Sequence, residues 1–212
     1  MHRGYNRPDM ASKETPSSGP RDKPGLGAGK RKDLCAEKST PADQSPGKVT
    51  AKPGSRPRIF ATYEAATEYL TGRTNVERTR PEKVDPATFK LERMRAMLAV
   101  MGNPHHNTKF VHVAGSKGKG SVCEMAASCL TACGYTTGLF TSPHLIDLRE
   151  RVRINQQMIS YADFATYLGQ AATAADAVES EHGEATFFEV VTALALACFA
   201  EQAVDVAVIE VG

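Results

Sequence analysis

A glycine- and lysine-rich segment between a strand pattern and a helix pattern is the strongest constraint in this sequence. The segment HVAGSKGKGS spans residues 112–121 and places three glycines and two lysines within residues 115–121. Such a turn is typical of a phosphate-binding loop, because glycines let the backbone approach phosphate oxygens and the first N–H groups of the helix point at the anion. A tight strand-to-helix turn is the alternative. It accounts for Gly115 and Gly118 but gives no reason for two lysines beside the helix start.

The phosphate-binding interpretation assigns a role to most side chains of this segment. Lys119 is placed to reach the β- and γ-phosphates of a nucleotide and is the candidate catalytic residue, and the Ser121 hydroxyl suits Mg²⁺. The match to the general pattern G-x-x-x-x-G-K-[ST] is incomplete, since that pattern needs glycine at Val113 and Ser or Thr at Gly120. The predicted ATP-binding residues are Gly115, Ser116, Lys117, Gly118, Lys119, Gly120 and Ser121.

The charge of the chain divides at about residue 58. The 212 residues carry a net charge of +2, but residues 1–58 hold 13 Lys and Arg against 6 Asp and Glu, whereas residues 59–212 hold 13 against 18. The first segment is rich in Pro, Gly, Ser and Lys without apolar periodicity, so we predict a disordered basic tail. An address signal or a nucleic-acid-binding tail is the alternative. The mildly acidic remainder argues against a general nucleic-acid-binding surface there.

Targeting and membrane signals are not evident in the sequence. It has no apolar core typical of a secretory signal and no run of 18 apolar residues that could span a membrane. Four of its five cysteines lie in apolar, helix-like stretches and none forms a CxxC pair. We therefore expect a cytoplasmic protein with buried, reduced thiols and no membrane partner.

Residues 59–212 alternate between helix and strand patterns. Helix patterns occupy residues 59–72, 85–104, 120–135, 160–183 and 187–202, with Ser160 as an expected N-cap and Gly72 and Gly183 as stops. Buried strands are predicted at 110–115, 136–143 and 204–212, and ERVRINQQMIS is predicted as an exposed extended or hairpin segment. This alternation predicts an α/β domain with a parallel sheet.

Several motifs resemble the folylpolyglutamate synthase/dihydrofolate synthase family of the Mur ligase superfamily, in the family's order across residues 59–212. AGSKGKGS is similar to its G-T/S-N-G-K-G-S/T loop, and GYTTGLFTSPHLIDLRERVRIN contains its T-S-P-H-L loop and E-R-I/V-R-I-N segment. TFFEVVTALA resembles its F-F-E-x-x-T-x-x-A helix, VDVAVIEVG its D-x-x-x-x-E-V-G strand, and LERMRAMLAVMGNP its L-x-R-x-x-x-L-L-x-x-L-G-x-P helix. The resemblance implies a Mur-ligase-like ATP-binding domain.

The resemblance also implies functional residues. It makes Ser142 and Glu210 ligands of Mg²⁺ together with Ser121, and it places TFFE near a folate or pteroate substrate. Each assignment has an alternative. Ser142 could be a turn residue before Pro143, and Glu210 a solvent-facing carboxylate at a strand end. TFFE could begin a capped core helix with its aromatic residues inside. Arg149, Arg151 and Arg153 alternate along the sequence, so an extended strand would carry all three on one face. That face could be solvated or could attract an anionic substrate tail. The substrate-proximal candidates are Thr186, Phe187, Phe188, Glu189 and His144.

Two departures from the family pattern stand out. Lys117 occupies the position of the usual loop asparagine, and both side chains can donate hydrogen bonds to phosphate. The sequence stops at Gly212, where the family continues with L-G-G-R-x-D-A-T-N, a histidine ligand, a carbamylated lysine and a second, Rossmann-like domain. We therefore expect residues 59–212 to be the N-terminal part of the ATP-binding domain.

The activity implied by the resemblance is ATP-dependent addition of L-glutamate to a folate or dihydropteroate carboxylate through an acyl phosphate. The expected partners are ATP, Mg²⁺, L-glutamate and the folate or dihydropteroate acceptor. The protein itself is expected to be a monomer. Two alternatives remain open. One is a Mur-type cell-wall amino-acid ligase, which the TSPHL and ERVRIN stretches disfavour. The other is a nucleotide-binding fragment without catalysis.

Overall fold

The computed structural model describes residues 57–75 and 91–211. Short 3-10 turns occupy Pro104–Asn107 and Leu148–Arg151. The helices are α1 (Tyr63–Thr71), α2 (Leu91–Val100), α3 (Lys119–Ala132), α4 (Tyr161–His182) and α5 (Phe187–Glu201). The strands are β1 (Lys109–Val113), β2 (Thr137–Phe140), β3 (Val152–Ile154), β4 (Gln157–Met158) and β5 (Val206–Glu210).

The strands form one mixed sheet in the order β1-β5-β2-β3-β4. β5 lies between β1 and β2 and is parallel to both, which confirms the predicted α/β architecture. β3 and β4 are antiparallel, so the sheet is not parallel throughout. The reversal occurs at Asn155 and Gln156, whose positive φ angles of 48° and 70° suit the two-residue turn of a hairpin. ERVRINQQMIS therefore contains the predicted hairpin, but the prediction that the segment is exposed is wrong for Arg151, Val152 and Ile159, which are buried.

Helices cover both faces of the sheet. α3 packs on one face, where Cys123 and Ala127 meet Leu139 and Val208 in a small buried cluster. The other face carries the main core, built from α1, α2, α4 and α5. α5 lies directly on β2, since a Cβ added to Gly138 would come within 2.7 Å of the Phe199 ring. The apolar character of α5 follows from this position, because the sheet and α4 bury most of its circumference.

The burial of the parallel strands differs from strand to strand. β5 is the central one, and Ala207 and Val208 are fully buried, as the continuous apolar run VDVAVI predicts. β1 was predicted to be buried as well, and this is wrong. Phe110 and Val111 are 39% and 38% exposed, because β1 pairs only with β5 among the described residues and α3 lies mainly over β5 and β2.

The predicted N-cap at Ser160 and the predicted stops at Gly72 and Gly183 agree with the structure, whereas α1 begins at Tyr63 rather than at residue 59 and α2 ends at Val100 rather than at residue 104. Ser160 caps α4 through a hydrogen bond that its side chain accepts from the Asp163 N–H, and Gly183 ends the helix with φ of 79°. Gly72 is the C-cap of α1, as predicted. No helix within residues 57–75 and 91–211 is both long and apolar enough to cross a membrane.

The predicted disordered tail, residues 1–58, lies outside the described residues except for Pro57 and Arg58. Arg58 is attached to α4. Its backbone N–H donates to the Thr173 hydroxyl at 2.8 Å, and its guanidinium group pairs with Asp176. Its carbonyl oxygen lies 2.5 Å from where a Cβ on Gly169 would be, so glycine is needed there for this close approach.

The expectation of buried thiols holds for only two of the four described cysteines. Cys123 and Cys198 are buried, and burial raises the pKa of Cys198 to about 12, so this thiol stays protonated and unreactive. Cys129, in α3, and Cys133, the C-cap of α3, are exposed. Cys35 lies outside the described residues.

Candidate functional site

The glycine-rich loop joins the end of β1 to the first turn of α3. Gly118 is the N-cap of α3, and its φ of 73° lies in the left-handed region that favours glycine. Because the cap residue has no side chain, the N–H groups of Lys119, Gly120 and Ser121 have no cap side chain to bind them. The loop from Gly115 to Gly118 is exposed. This arrangement suits a bound phosphate group.

The end of β5 and the segment after β2 both meet the glycine-rich loop. Glu210 ends β5 and is only 6% exposed. Its Oε2 accepts a hydrogen bond from the Ser142 N–H at 3.1 Å. The same oxygen lies 3.7 Å from where a Cβ on Gly120 would be. The carboxyl ends of parallel strands meet at one edge of a sheet, which is where α/β proteins bind ligands.

A cavity of about 550 Å³ opens beside these residues. Gly120, Ser142 and Glu210 line it on the side of the phosphate-binding loop. α3 contributes Glu124 and the β3–β4 hairpin contributes Arg153, and these two side chains form an ion pair. The cavity has the size of a small-molecule site and combines charged groups with an apolar wall.

The donor atoms around Glu210 fit Mg²⁺. Ser142 and Glu210 share the cavity wall. Ser121 follows Gly120 on the first turn of α3 but does not line the cavity, so its place in the metal site stays a prediction. All three offer the oxygen atoms that Mg²⁺ prefers. Within the described part of the chain no basic side chain forms an ion pair with Glu210. A buried carboxylate without a cation is costly, so a metal ion would stabilise this one. No group of three or more His, Cys, Asp or Glu side chains in the described ranges could hold a metal.

The loop that carries Ser142 is fixed by Glu150. The Glu150 carboxylate accepts hydrogen bonds from the N–H groups of Leu145, Ile146 and Asp147 at 2.7, 2.9 and 2.8 Å. These hydrogen bonds lower the pKa of Glu150. Asp147 in turn caps the turn Leu148–Arg151. The loop is therefore held in one conformation although Leu145 and Ile146 are 90% and 93% exposed.

Comparison with known proteins gives the same family as the motifs. The chain is 42% identical over 130 residues to a probable bifunctional folylpolyglutamate synthase/dihydropteroate synthase of Haloferax volcanii, covering 61% of this chain and 15% of that protein. It is 35% identical over 156 residues to the dihydrofolate synthase/folylpolyglutamate synthase of Bacillus subtilis, covering 73% of this chain and 34% of that protein. The folylpolyglutamate synthase of Mycobacterium tuberculosis, solved in complex with ADP, superimposes with a TM-score of 0.60 at 32% identity, covering 71% of this chain and 32% of that one.

The chain belongs to the folylpolyglutamate synthase/dihydrofolate synthase family. It spans between about one seventh and about one third of the length of these three relatives. No family model matches the sequence.

The TFFE motif of this family forms the first turn of α5. Thr186 is the N-cap, and it exchanges hydrogen bonds with Glu189 in a capping box. Phe187 is 2% exposed, and Phe188 packs partly buried against the main core. The structure therefore gives all four residues the contacts of the capped core helix that was the alternative interpretation. A substrate role for them stays a prediction.

Glu189 is further engaged by Arg93 of α2. The Arg93 guanidinium group donates to both Glu189 oxygens, with Nε at 3.1 and 2.9 Å from them. Arg93 is 3% exposed and Glu189 is partly buried, so water is largely excluded from the pair. Sequence reasoning did not single out Arg93, because its partner lies 96 residues away and no local pattern marks the contact.

The three alternating arginines do not share one strand face, contrary to the prediction. Arg149 and Arg151 lie in the 3-10 turn rather than in β3, which breaks the period-2 alternation. Arg149 binds Asp147 and stacks on Tyr161, with its guanidinium carbon 3.5 Å from the ring centroid. Arg151 is buried and donates from Nε to His144 Nδ1 at 2.9 Å. Only Arg153 lies in the strand and at the cavity.

Asp147 gives the stability of this loop a pH dependence. Hydrogen bonds from Arg149, together with one from the Tyr63 hydroxyl at 2.7 Å, lower the pKa of Asp147 from 3.8 to about 2. Because the folded-state pKa is depressed, the stabilisation is complete above pH 4 and is lost as the pH falls toward 2. A shift of this size corresponds to about 2 kcal/mol.

We expect Asp147→Asn to lower the free energy of unfolding by about 1–2 kcal/mol at pH 7, since the neutral amide keeps an acceptor but loses the charge. Urea unfolding between pH 7 and pH 3 measures the effect, and the difference from the wild type should shrink below pH 4. Tyr63→Phe is the control, because it removes a hydroxyl without changing the charge at Asp147. A difference for Asp147→Asn that is constant over this pH range would contradict the assignment.

Proposed function

We propose that this chain supplies the phosphate-binding part of an ATP-dependent ligase that adds L-glutamate to a folate or dihydropteroate carboxylate. The observation that carries the proposal is the convergence of Glu210 and Ser142 on Gly120 beside the glycine-rich loop. A bare phosphate-binding loop would serve many reactions. A buried carboxylate and a serine beside it, in a chain of this family, favour a ligase that holds its nucleotide phosphates with Mg²⁺.

The reaction requires activation because a carboxylate is a poor electrophile. Transfer of the γ-phosphoryl group of ATP to an acceptor carboxylate oxygen forms an acyl phosphate and ADP. The glutamate amine then attacks the acyl carbon, the C–O bond to phosphate breaks, and inorganic phosphate leaves with the amide formed. Phosphoryl transfer depends mainly on positioning and on neutralising charge.

The residues of this chain fit the first half of that reaction. The N–H groups at the start of α3 would bind phosphate oxygens, and the Lys119 ammonium group would neutralise charge on the β- and γ-phosphates. Ser121, Ser142 and Glu210 would hold Mg²⁺, which when bound neutralises phosphate charge and orients the phosphates. The similar folylpolyglutamate synthase of Mycobacterium tuberculosis was solved in complex with ADP, which supports the nucleotide assignment. The cytoplasmic location and the monomeric state stay predictions.

The test compares binding and turnover in two lengths of protein. Because the chain spans about a third of its Bacillus subtilis relative, we expect the 212-residue chain to bind Mg-ATP without turnover. A protein extended to the length of the relatives should release phosphate only when ATP, Mg²⁺, L-glutamate and a folate or dihydropteroate acceptor are all present. Phosphate release with each component omitted in turn measures this.

Two outcomes would overturn the proposal. An extended protein that uses a UDP-linked cell-wall precursor and ignores every folate acceptor would favour the Mur-type ligase. An extended protein that binds Mg-ATP but releases no phosphate with any acceptor would favour nucleotide binding without catalysis.

A further inference from the structure

Arg151 is a charged residue in the interior of the molecule. It is 1% exposed and is the largest fully buried side chain of the described residues. Its guanidinium carbon lies 5.2 Å from the centroid of the Phe187 ring, at the first turn of α5. Its Nε donates a hydrogen bond to Nδ1 of His144 at 2.9 Å. A buried cation is tolerated only where fixed partners compensate for the water it has lost, and the contacts with His144 and Phe187 are among these partners.

The contact determines the tautomer of His144. Arginine stays protonated in proteins and can only donate hydrogen bonds. Nδ1 of His144 must therefore carry a lone pair toward Arg151, and the imidazole proton must reside on Nε2. With Nδ1 protonated, two N–H groups would face each other at 2.9 Å.

His144 lies on a different side of its loop from the cavity. Ser142, Pro143 and Leu145 line the cavity, whereas His144 does not and instead contacts Arg151. Among the described residues, the loop contacts Arg151 at His144, Glu150 at residues 145–147 and Glu210 at the Ser142 N–H, and Asp147 also binds Tyr63 and Arg149. Only the first of these contacts reaches from the loop to a buried side chain that also packs on α5.

We propose that Arg151 is a positioning residue that holds His144 in the Nε2–H tautomer and thereby fixes Ser142 against Glu210. The contact joins the TSPHL, ERVRIN and TFFE motifs into one unit. The metal-binding consequence rests on the proposed function, whereas the tautomer and the position of Ser142 do not.

The tautomer is tested by NMR on the full 212-residue chain labelled with ¹⁵N-histidine at neutral pH. We expect the wild-type His144 to show a pyridine-like Nδ1 and a pyrrole-like Nε2. Arg151→Met should lose this preference, and Arg149→Met should keep it, because Arg149 contacts Asp147 and Tyr161 rather than His144. Methionine in place of a buried ionic side chain of similar length is often tolerated. A wild-type His144 protonated on Nδ1, or an unchanged spectrum in Arg151→Met, would overturn the proposal.

The position of Ser142 is tested by hydrogen exchange and by binding. Arg151→Met should speed exchange of the Ser142 amide about tenfold, the change expected when a local opening becomes about 1.4 kcal/mol easier. His144→Asn, which keeps an acceptor near the Nδ1 position, should retain slow exchange, and His144→Leu should not. Equal exchange rates in all four proteins would overturn the positioning role.

Nucleotide binding separates this role from a general structural one. Arg151→Met should weaken Mg-ATP binding about tenfold, because this is a typical effect of losing a residue that orients a metal ligand. Binding of ATP in EDTA should be unchanged. An equal loss with and without Mg²⁺ would show that Arg151 supports the fold rather than Ser142. If the wild-type chain binds no nucleotide, the proposed function fails, while the tautomer and exchange measurements still decide this inference.

Discussion

Lys119→Ala should weaken Mg-ATP binding by about 10- to 150-fold. Lys119 opens α3 directly after the left-handed Gly118, where its ammonium group can meet phosphate oxygens. Hydrogen bonds to charged groups contribute about 1.5–3 kcal/mol, which corresponds to this range of affinity. Alanine favours helix, so the first turn of α3 should remain folded. Isothermal titration gives the affinity, and circular dichroism checks the fold.

Lys117→Ala is the matched control, because it removes the same charge from the same loop. Lys117 is exposed and precedes the helix, so its contribution should be less than about threefold and should weaken with added salt. Equal affinities for the wild type and a folded Lys119→Ala would contradict the phosphate-binding assignment of residues 115–121.

Glu210→Gln should reduce the affinity for Mg-ATP by at least about 100-fold, which exceeds the loss expected for an outer-shell residue. The amide oxygen can still accept the Ser142 N–H, but it is a much weaker ligand for Mg²⁺ than a carboxylate. Binding of ATP in EDTA should be unchanged, because the contacts of the glycine-rich loop remain. Titrations with and without Mg²⁺ separate the two contributions.

We expect the same substitution to have the opposite effect on stability. Without metal, Glu210→Gln should be at least as stable as the wild type, because a buried carboxylate with no basic partner among the described residues becomes a neutral amide. Urea unfolding in EDTA measures this. Ser142→Ala is the control, since it removes the hydroxyl and keeps the N–H that Glu210 binds. A less stable Glu210→Gln with unchanged Mg²⁺ dependence would indicate that Glu210 is structural.

The parts of the fold that the sequence predicts well depend on local chemistry. The N-cap at Ser160, the stops at Gly72 and Gly183 and the glycine-rich turn at Gly118 each involve a few adjacent residues whose conformational preferences are strong. The proximity of Ser142 to Glu210 was implied by the family resemblance, which makes both ligands of one metal ion, and the two residues do lie together in the structure. Their roles as metal ligands stay predictions.

The parts that could not be predicted depend on long-range pairing. The apolar run at β1 is similar to that of β5, but among the described strands β1 has one neighbour and β5 lies between two. Alternation placed Arg149, Arg151 and Arg153 on one face, whereas Asp147 caps a 3-10 turn that rotates Arg151 into the core. The environment of β1 depends on which strands lie beside it. That of Arg151 depends on a capping turn and on contact with the distant Phe187, and period-2 alternation records neither.

The exposed edge of β1 has a consequence for the phosphate-binding loop. The loop continues directly from a strand that pairs on one side only within the described residues and whose Phe110 and Val111 are exposed. An unpaired apolar edge also invites hydrogen bonding with a strand from another molecule. Any strand that paired there would stiffen the approach to residues 115–118. Association of molecules through β1 would therefore be expected to change nucleotide affinity as well, because the phosphate-binding loop begins where β1 ends.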